Sequence, residues 1–150
     1  EQARALWEPR AERAWPDLCA WLSMSDEALN EQLLGSPLRR AHPEGLKRNA
    51  LIALANQGDA SALGLIEAQL SHPSEAVRLT ALWALTVLLT QMRSRDAQPL
   101  SEDQGELITR LEAWCRAQLS ADEQLNGDEA REELMWALGS LSALSAQARV

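Results

Sequence analysis

The stretch Ala50-Leu51-Ile52-Ala53-Leu54 decides the fold, because it returns as Ala81-Leu82-Trp83-Ala84-Leu85 at an offset of 31 residues. A third copy, Leu134-Met135-Trp136-Ala137-Leu138, follows 53 residues after the second. Alanine and leucine dominate all three copies, and both residues favour helix. A recurring unit of about this length is typical of stacked helical hairpins, each of which buries its apolar face against the next.

Turn and capping signals separate the copies. Gly58-Asp59 ends one predicted helix and caps the next, and His72-Pro73-Ser74 repeats that arrangement. The polar stretch 92–104 holds the excess residues, so we expect an insertion there to break the period. Ser101-Glu102-Asp103-Gln104 has capping-box spacing and opens a further helix, which Asn126-Gly127-Asp128 separates from the last one.

The residues before the first copy predict two short helices. Trp15-Pro16-Asp17 starts a helix that stops near Ser23, and Ser25 caps a second helix that ends before Gly35. We therefore expect three segments: a linker or frayed helix (1–14), a helical adaptor with a basic segment (15–45) and a repeat domain (46–150).

The composition agrees with an all-helical chain. Phe and Tyr are absent from the 150 residues, and Gly and Pro number only 7 and 6. Residues that favour strands and tight turns are therefore scarce. The sequence predicts about seven or eight helices, arranged as antiparallel pairs in a small right-handed α-solenoid of HEAT-like hairpins.

The net charge of −8 argues against a general nucleic-acid binder, since phosphates need a field of the opposite sign. Its distribution is uneven. Three basic and seven acidic residues give residues 1–34 a charge of −4, and four basic and ten acidic residues give 101–150 a charge of −6. The middle of the chain, 35–100, is left with +2.

Few residues could carry chemistry. Cys19 and Cys115 are too far apart in sequence to predict a disulfide or a paired metal site, and His42 and His72 have no second ligand nearby. No glycine-rich phosphate loop or nucleophile motif occurs, and the adjacent acids Glu132-Glu133 point in different directions on a helix. We expect no catalytic residue, no resident cofactor or metal, and, without an apolar run of membrane-spanning length, a cytoplasmic protein.

The six tryptophans divide into two groups. Trp83, Trp114 and Trp136 fall on the apolar stripes of predicted helices, which favours packing in the core over stacking on nucleobases. The other three precede the repeats, where they could also dock on another domain: Trp7, Trp15 and Trp21.

The basic segment 37–49 is the feature that packing explains least. It contains four basic residues against a single acid, Glu44. Lys47 and Arg48 near a helix N-terminus oppose the helix dipole unless an anion is bound there. Two interpretations stay open at this point, a solvated charged surface and a phosphate-binding site.

Three pieces of the sequence resemble the C-terminal part of epoxyqueuosine reductase, the enzyme that completes queuosine at the tRNA wobble position. These pieces are Leu22–Glu27, Gly35–Arg40 and Gly45–Asn56, in matching order and spacing. The following Gly58-Asp59 and the repeat from Pro73 to Leu85 resemble the HEAT-like repeats with which that enzyme ends. The resemblance covers residues 15 to about 90.

The resemblance implies a detached C-terminal module that helps to grip tRNA near the anticodon. In that family the reductive chemistry belongs to an N-terminal catalytic half that binds cobalamin and two iron–sulfur clusters. The residues of this chain that would face RNA or the catalytic half are Arg39, Arg40, Lys47, Arg48 and Asn49, with Arg78 at the repeat position of Lys47.

Three hypotheses follow. The first is a noncatalytic tRNA-recognition module that binds phosphates through its basic segment and matches a stem-loop in shape. The alternative is a protein-interaction scaffold that binds a partner on its concave face without RNA. A helical-repeat base-repair glycosylase would need a cleft lined by Trp and Asp on a strongly basic face, which the net charge disfavours.

Overall fold

A computed structural model provides the structure of this chain and describes residues 17–96, 100–121 and 127–147. These residues form seven α-helices and three short 3₁₀ helices and contain no strand, which confirms the predicted all-α class. The α-helices are α1 (Leu18–Ser23), α2 (Asp26–Gln32), α3 (His42–Gln57), α4 (Leu63–Ala68), α5 (Glu75–Asp96), α6 (Glu102–Ser120) and α7 (Asp128–Gln147). The 3₁₀ helices are Pro37–Ala41, Ala60–Ala62 and Gln69–Ser71.

Some predictions fall on other parts of the chain. The linker at 1–14 with Trp7, the residues Trp15 and Pro16, and the turn residue Asn126 lie outside the described residues. The helix predicted to start at Trp15-Pro16-Asp17 begins at Leu18, and Asp17 caps it by accepting a hydrogen bond from the Ala20 N–H at 3.1 Å.

The predicted helix ends are confirmed where the structure describes them. The side chain of Ser25 accepts a hydrogen bond from the Ala28 N–H at 3.2 Å and so caps α2. Gly58 follows α3 with a φ of 72°, a left-handed conformation that glycine adopts without a Cβ penalty. Ser101 and Gln104 form the reciprocal capping box at the start of α6.

The two related helices α3 and α5 run side by side. The Arg48 Nε donates to the Thr80 hydroxyl at 3.4 Å, and the Arg95 guanidinium approaches the Gly58 carbonyl at 3.5 Å. Since both contacts follow the same order along the two helices, α3 and α5 are parallel. The first two sequence copies therefore occupy equivalent places in the packing.

The main core consists of the apolar faces of α3, α5, α6 and α7 together with α4. Its fully buried side chains include Leu51, Leu82, Leu85, Ile108 and Leu134, one or more from each long helix. α4 contributes the buried side chain of Ile66 to the same cluster.

A second, smaller core joins the adaptor helices to the repeat region. Leu29, Leu33 and Leu46 are buried together, and Trp21 and Met24 pack against them. Trp21 thus takes part in a contact within the chain.

The extra residues between the second and third copies lengthen helices. α5 has 22 residues against 16 in α3, so residues 92–96 of the expected insertion continue the helix. α6 has 19 residues, whereas α4 has 6 between two 3₁₀ turns. The period is therefore broken at least in part by longer helices.

Two of the three tryptophans assigned to the core lie there, and the third does not. Trp83 and Trp114 are partly buried against the main core. The prediction was wrong for Trp136, whose residue surface is 46% exposed. Its neighbour on α7, Met135, is exposed as well.

Within the part of the chain that the structure describes, none of the helices combines the length and the apolar composition needed to cross a membrane.

Candidate nucleic-acid interface

The basic segment is divided between a 3₁₀ helix and the start of α3. Ser36 opens the 3₁₀ helix by accepting a hydrogen bond from the Leu38 N–H at 3.3 Å, and Pro37 occupies its first turn. Arg39 and Arg40, which follow at once, are both exposed. The Arg39 Nε donates to the Asn30 side-chain oxygen of α2 at 3.3 Å, which holds this side chain at the surface.

Arg48 and Asn49 lie on the solvent-facing side of α3. Both are exposed, whereas Leu46, Ala50 and Leu51 on the opposite side are buried. The hydrogen bond from Arg48 to Thr80 leaves most of its guanidinium N–H groups for other acceptors. Among the described residues no carboxylate forms an ion pair with Arg39, Arg40 or Arg48.

Lys47 does not share this surface, which corrects its predicted place beside the exposed arginines. Its residue surface is only 4% exposed, and its Nζ lies 2.8 Å from Asp26 Oδ1 and 2.9 Å from the Met24 carbonyl oxygen. The physical reason is the cost of burying an unpaired ammonium, which requires an anionic partner and further hydrogen bonds. Through these two contacts Lys47 links the turn between α1 and α2 to α3.

His72 completes this polar cluster. Its Nε2 lies 3.3 Å from Asp26 Oδ1, and its Nδ1 accepts a hydrogen bond from the Ser74 N–H at 3.0 Å. Because Nδ1 acts as the acceptor, Nε2 carries the proton and donates to Asp26. The imidazole thus links the turn before α5 to the start of α2.

The electrostatics of the cluster favour the ionised form of Asp26. Partial burial would raise the pKa of this carboxyl, but hydrogen bonds from Lys47 and His72, together with the positive charge of Lys47, outweigh burial. The pKa of Asp26 therefore lies below its ordinary value of 3.8.

Arg78, at the repeat position of Lys47, is also engaged with the backbone. One guanidinium nitrogen donates to the carbonyl oxygens of His72 and Pro73, both at 2.8 Å. Lys47 and Arg78 therefore share a role: each cation satisfies carbonyl groups of a turn that precedes or packs on its helix. The shared repeat position of Lys47 and Arg78 therefore reflects a common role in holding turns in place.

The junction between the 3₁₀ helix and α3 has two unusual backbone features. His42 has a φ of 55° and a ψ of 158°, a conformation that non-glycine residues rarely adopt and that costs about 1–3 kcal/mol. Ala41, the residue before α3, offers no side-chain cap to the first N–H groups of the helix. Strain and uncapped donors therefore coincide between Arg40 and Arg48.

The cysteines and histidines of the chain do not fit the cofactors of the resembled family. An iron–sulfur cluster takes four protein ligands, usually cysteine thiolates, and the chain has two cysteines. Burial raises the pKa of the Cys115 thiol to about 11, so it stays protonated and unreactive near neutral pH. In the described residues no three His, Cys, Asp or Glu side chains lie together as a group that could hold a metal ion.

Sequence reasoning missed a groove between α5 and α7. Trp136, Ser140 and Leu144 of α7 line it together with Val87 and Gln91 of α5, among others, and its volume is about 470 Å³. The Oε1 atom of Gln91 is buried and has no hydrogen-bond partner within the described residues. The apolar periodicity of α7 could not reveal the groove, because it places Trp136 on the same stripe as buried residues.

No protein-family model, curated protein or solved structure matches this chain.

Proposed function

We propose that this protein is a noncatalytic tRNA-recognition module, similar to the C-terminal region of epoxyqueuosine reductase, that binds an anticodon stem-loop. The observation that carries the proposal is the exposure of Arg39, Arg40 and Arg48, three guanidinium groups without an ion-pair partner in the described residues. Guanidinium groups bind phosphate oxygens through paired N–H donors. Asn49, exposed beside Arg48, adds a neutral donor and acceptor.

The start of α3 supports binding of an anion at the same place. No side chain caps its first turn, in which the His42 N–H donates to the Arg39 carbonyl oxygen and Pro43 has no N–H, and α3 is long enough for its dipole to favour a negative charge at this end. The strained His42 is the first residue of this turn. Strained backbone of this kind is concentrated at binding sites, where the surrounding structure holds it.

The same hypothesis includes the architecture of the module. The parallel packing of α3 and α5 and the contact of α5 with α7 favour a right-handed α-solenoid of HEAT-like hairpins, in which these three helices form one layer. Such a layer presents an extended surface that matches the shape of a folded RNA. By resemblance, cobalamin and the iron–sulfur clusters belong to a separate catalytic half, which would be the second partner.

The test is a titration of a labelled queuosine-type anticodon stem-loop, followed by fluorescence anisotropy at two salt concentrations. Three phosphate contacts should weaken binding about 20- to 40-fold between about 50 and 200 mM salt, because each contact releases condensed counterions. The double variant Arg39→Glu/Arg48→Glu should abolish measurable binding.

The matched control is Arg110→Glu/Arg116→Glu, which changes the net charge equally on the exposed face of α6. The affinity of this variant for the stem-loop should lie within about twofold of the wild-type affinity, once the effect of its net charge on the long-range field is allowed for. Equal losses of affinity in both double variants would show that net charge alone causes the effect. Absence of binding in the wild type would refute the proposal.

A protein-interaction scaffold is the second candidate, and one observation favours it. Leu34 and Leu38 are 52% and 39% exposed immediately before the arginine pair at 39–40. Exposed leucines rimmed by charge are typical of protein-binding surfaces. Leu34→Ser/Leu38→Ser should leave stem-loop affinity unchanged if RNA is the ligand, and should weaken capture of an added catalytic half if these leucines dock it.

A further inference from the structure

The groove between α5 and α7 combines an exposed aromatic ring with an unsatisfied amide. Trp136 supplies a large, flat, apolar surface that is open to solvent. The Gln91 side chain supplies an oxygen that is buried without a partner in the described residues. Burying an unpaired acceptor is unfavourable, and a ligand N–H group would remove that cost.

From these two groups we infer that the groove, called here the Trp136 groove, binds a purine base, with adenine preferred. A base stacks on the indole of Trp136, a contact that tolerates any planar ring. The amide of Gln91 then selects adenine, because its oxygen and nitrogen match the N6–H donor and the N7 acceptor of that base.

The oxygen of Gln91 reaches the ligand by rotation of the terminal amide. Its last side-chain torsion is broad, so the amide turns at little cost, and the inference requires that this rotation bring the covered oxygen to the groove that Gln91 lines. A volume of about 470 Å³ accommodates a nucleoside.

The charges near the groove are mixed. Arg93 of α5 is among the residues that line it, whereas Glu129 and Glu132 of α7 are exposed on the turns that lead to Trp136. Stacking of a base on the indole needs neither sign of charge. The Trp136 groove is therefore suited to a base, and the arginines at the other end of the fold are complementary to the backbone.

The groove and the basic surface share one face of α5. Thr80, which binds Arg48, stands seven residues before Val87 and eleven before Gln91, so the three positions form one stripe about 16 Å long. A single strand anchored at Arg48 can extend along this stripe and place an unpaired base in the groove. This source of the base rests on the proposed RNA binding, whereas the base-binding chemistry does not.

Free nucleosides test the chemistry alone. We expect adenosine to shift the indole N–H resonance of Trp136, identified by its loss in Trp136→Phe, with a Kd of about 0.1–1 mM. N6,N6-dimethyladenosine, which keeps the ring but has no N6–H donor, should bind about fivefold more weakly. In Gln91→Leu the two nucleosides should bind equally, and an undiminished preference there, or no shift with either nucleoside, would overturn the inference.

The stem-loop tests the source of the base. Trp136→Ala should weaken binding of a loop that carries unpaired adenines about tenfold, and Trp136→Phe should restore it, since stacking needs only an aromatic face. Met135→Ala, the exposed neighbour outside the groove, is the control and should bind as the wild type does. Stem-loop binding that is unaffected by Trp136→Ala would overturn the RNA loop as the source of the base and spare the proposed function, whereas nucleoside binding without stem-loop binding would refute the proposed function and spare the base-binding chemistry.

Discussion

The central helix α5 and the last described helix α7 carry related pentapeptides but use them differently. Leu82 of α5 is 0% exposed, whereas Met135, at the same position of the third copy, is 56% exposed. Trp83 is partly buried against the core, whereas Trp136 opens onto a groove. The same sequence signal therefore gives a core position in one helix and a surface in the other.

The difference comes from the neighbours of each helix. α5 packs against α3, α4 and α7. α7 packs mainly against α5 and α6, and it leaves Met135 and Trp136 exposed. Periodicity in a sequence thus defines which residues could be buried, and the count of packing partners decides which of them are.

The largest effect should separate the two equivalent positions. Leu82→Ala should lower the free energy of unfolding by about 2–5 kcal/mol, because it leaves a cavity among fully buried side chains. Met135→Ala should change it by less than about 0.5 kcal/mol, since the side chain is in solvent. Urea unfolding followed by circular dichroism measures both, and similar losses at the two sites would break the comparison.

Two adjacent basic residues give a second contrast of the same kind. Lys47→Met keeps the aliphatic stem but removes the partner of Asp26 and the donor to Met24, so we expect a loss of about 1–3 kcal/mol. Arg48→Met, on the exposed side of α3, should cost less than about 0.5 kcal/mol. Thermal unfolding of the two variants provides the measurement, and a smaller loss for Lys47→Met than for Arg48→Met would contradict the burial of Lys47.

The pH dependence of stability should reveal the same cluster. Because the pKa of Asp26 is lowered in the folded protein, its contribution is present above pH 3.8 and is lost as the pH falls through the lower folded value. The stability difference between wild type and Asp26→Asn should therefore shrink as the pH falls below 3.8. Unfolding curves at several pH values test this.

The Lys47→Met background is the control for that series. Without the ammonium the hydrogen bond that most lowers the pKa of Asp26 is gone. The pH-dependent part of the difference should then be smaller, and an unchanged pH profile would assign it to another group.

Local signals in the sequence predicted the local structure correctly. Ser25, Gly58 and Ser101 mark helix ends because capping depends on residues within about one turn. The buried leucines of the first two copies were also predictable, since both copies lie in helices with neighbours on each side.

Contacts between distant residues were not predictable from the same patterns. The burial of Lys47 depends on Asp26, 21 residues earlier, and on the packing of α2 against α3. A basic residue next to Arg48 looks like part of a charged surface until that partner is known. The Trp136 groove likewise depends on α5, whose groove residues precede Trp136 by more than 40 positions.

The most direct measurement compares Lys47→Met and Arg48→Met in stem-loop binding, at a temperature where circular dichroism shows that both are folded. The account predicts that Arg48→Met weakens binding several-fold and lowers the slope of log affinity against log salt by about one, whereas Lys47→Met leaves both unchanged. Loss of affinity in Lys47→Met equal to that in Arg48→Met, or no loss in either, would contradict the division of the basic segment into a buried structural cation and an RNA-binding surface.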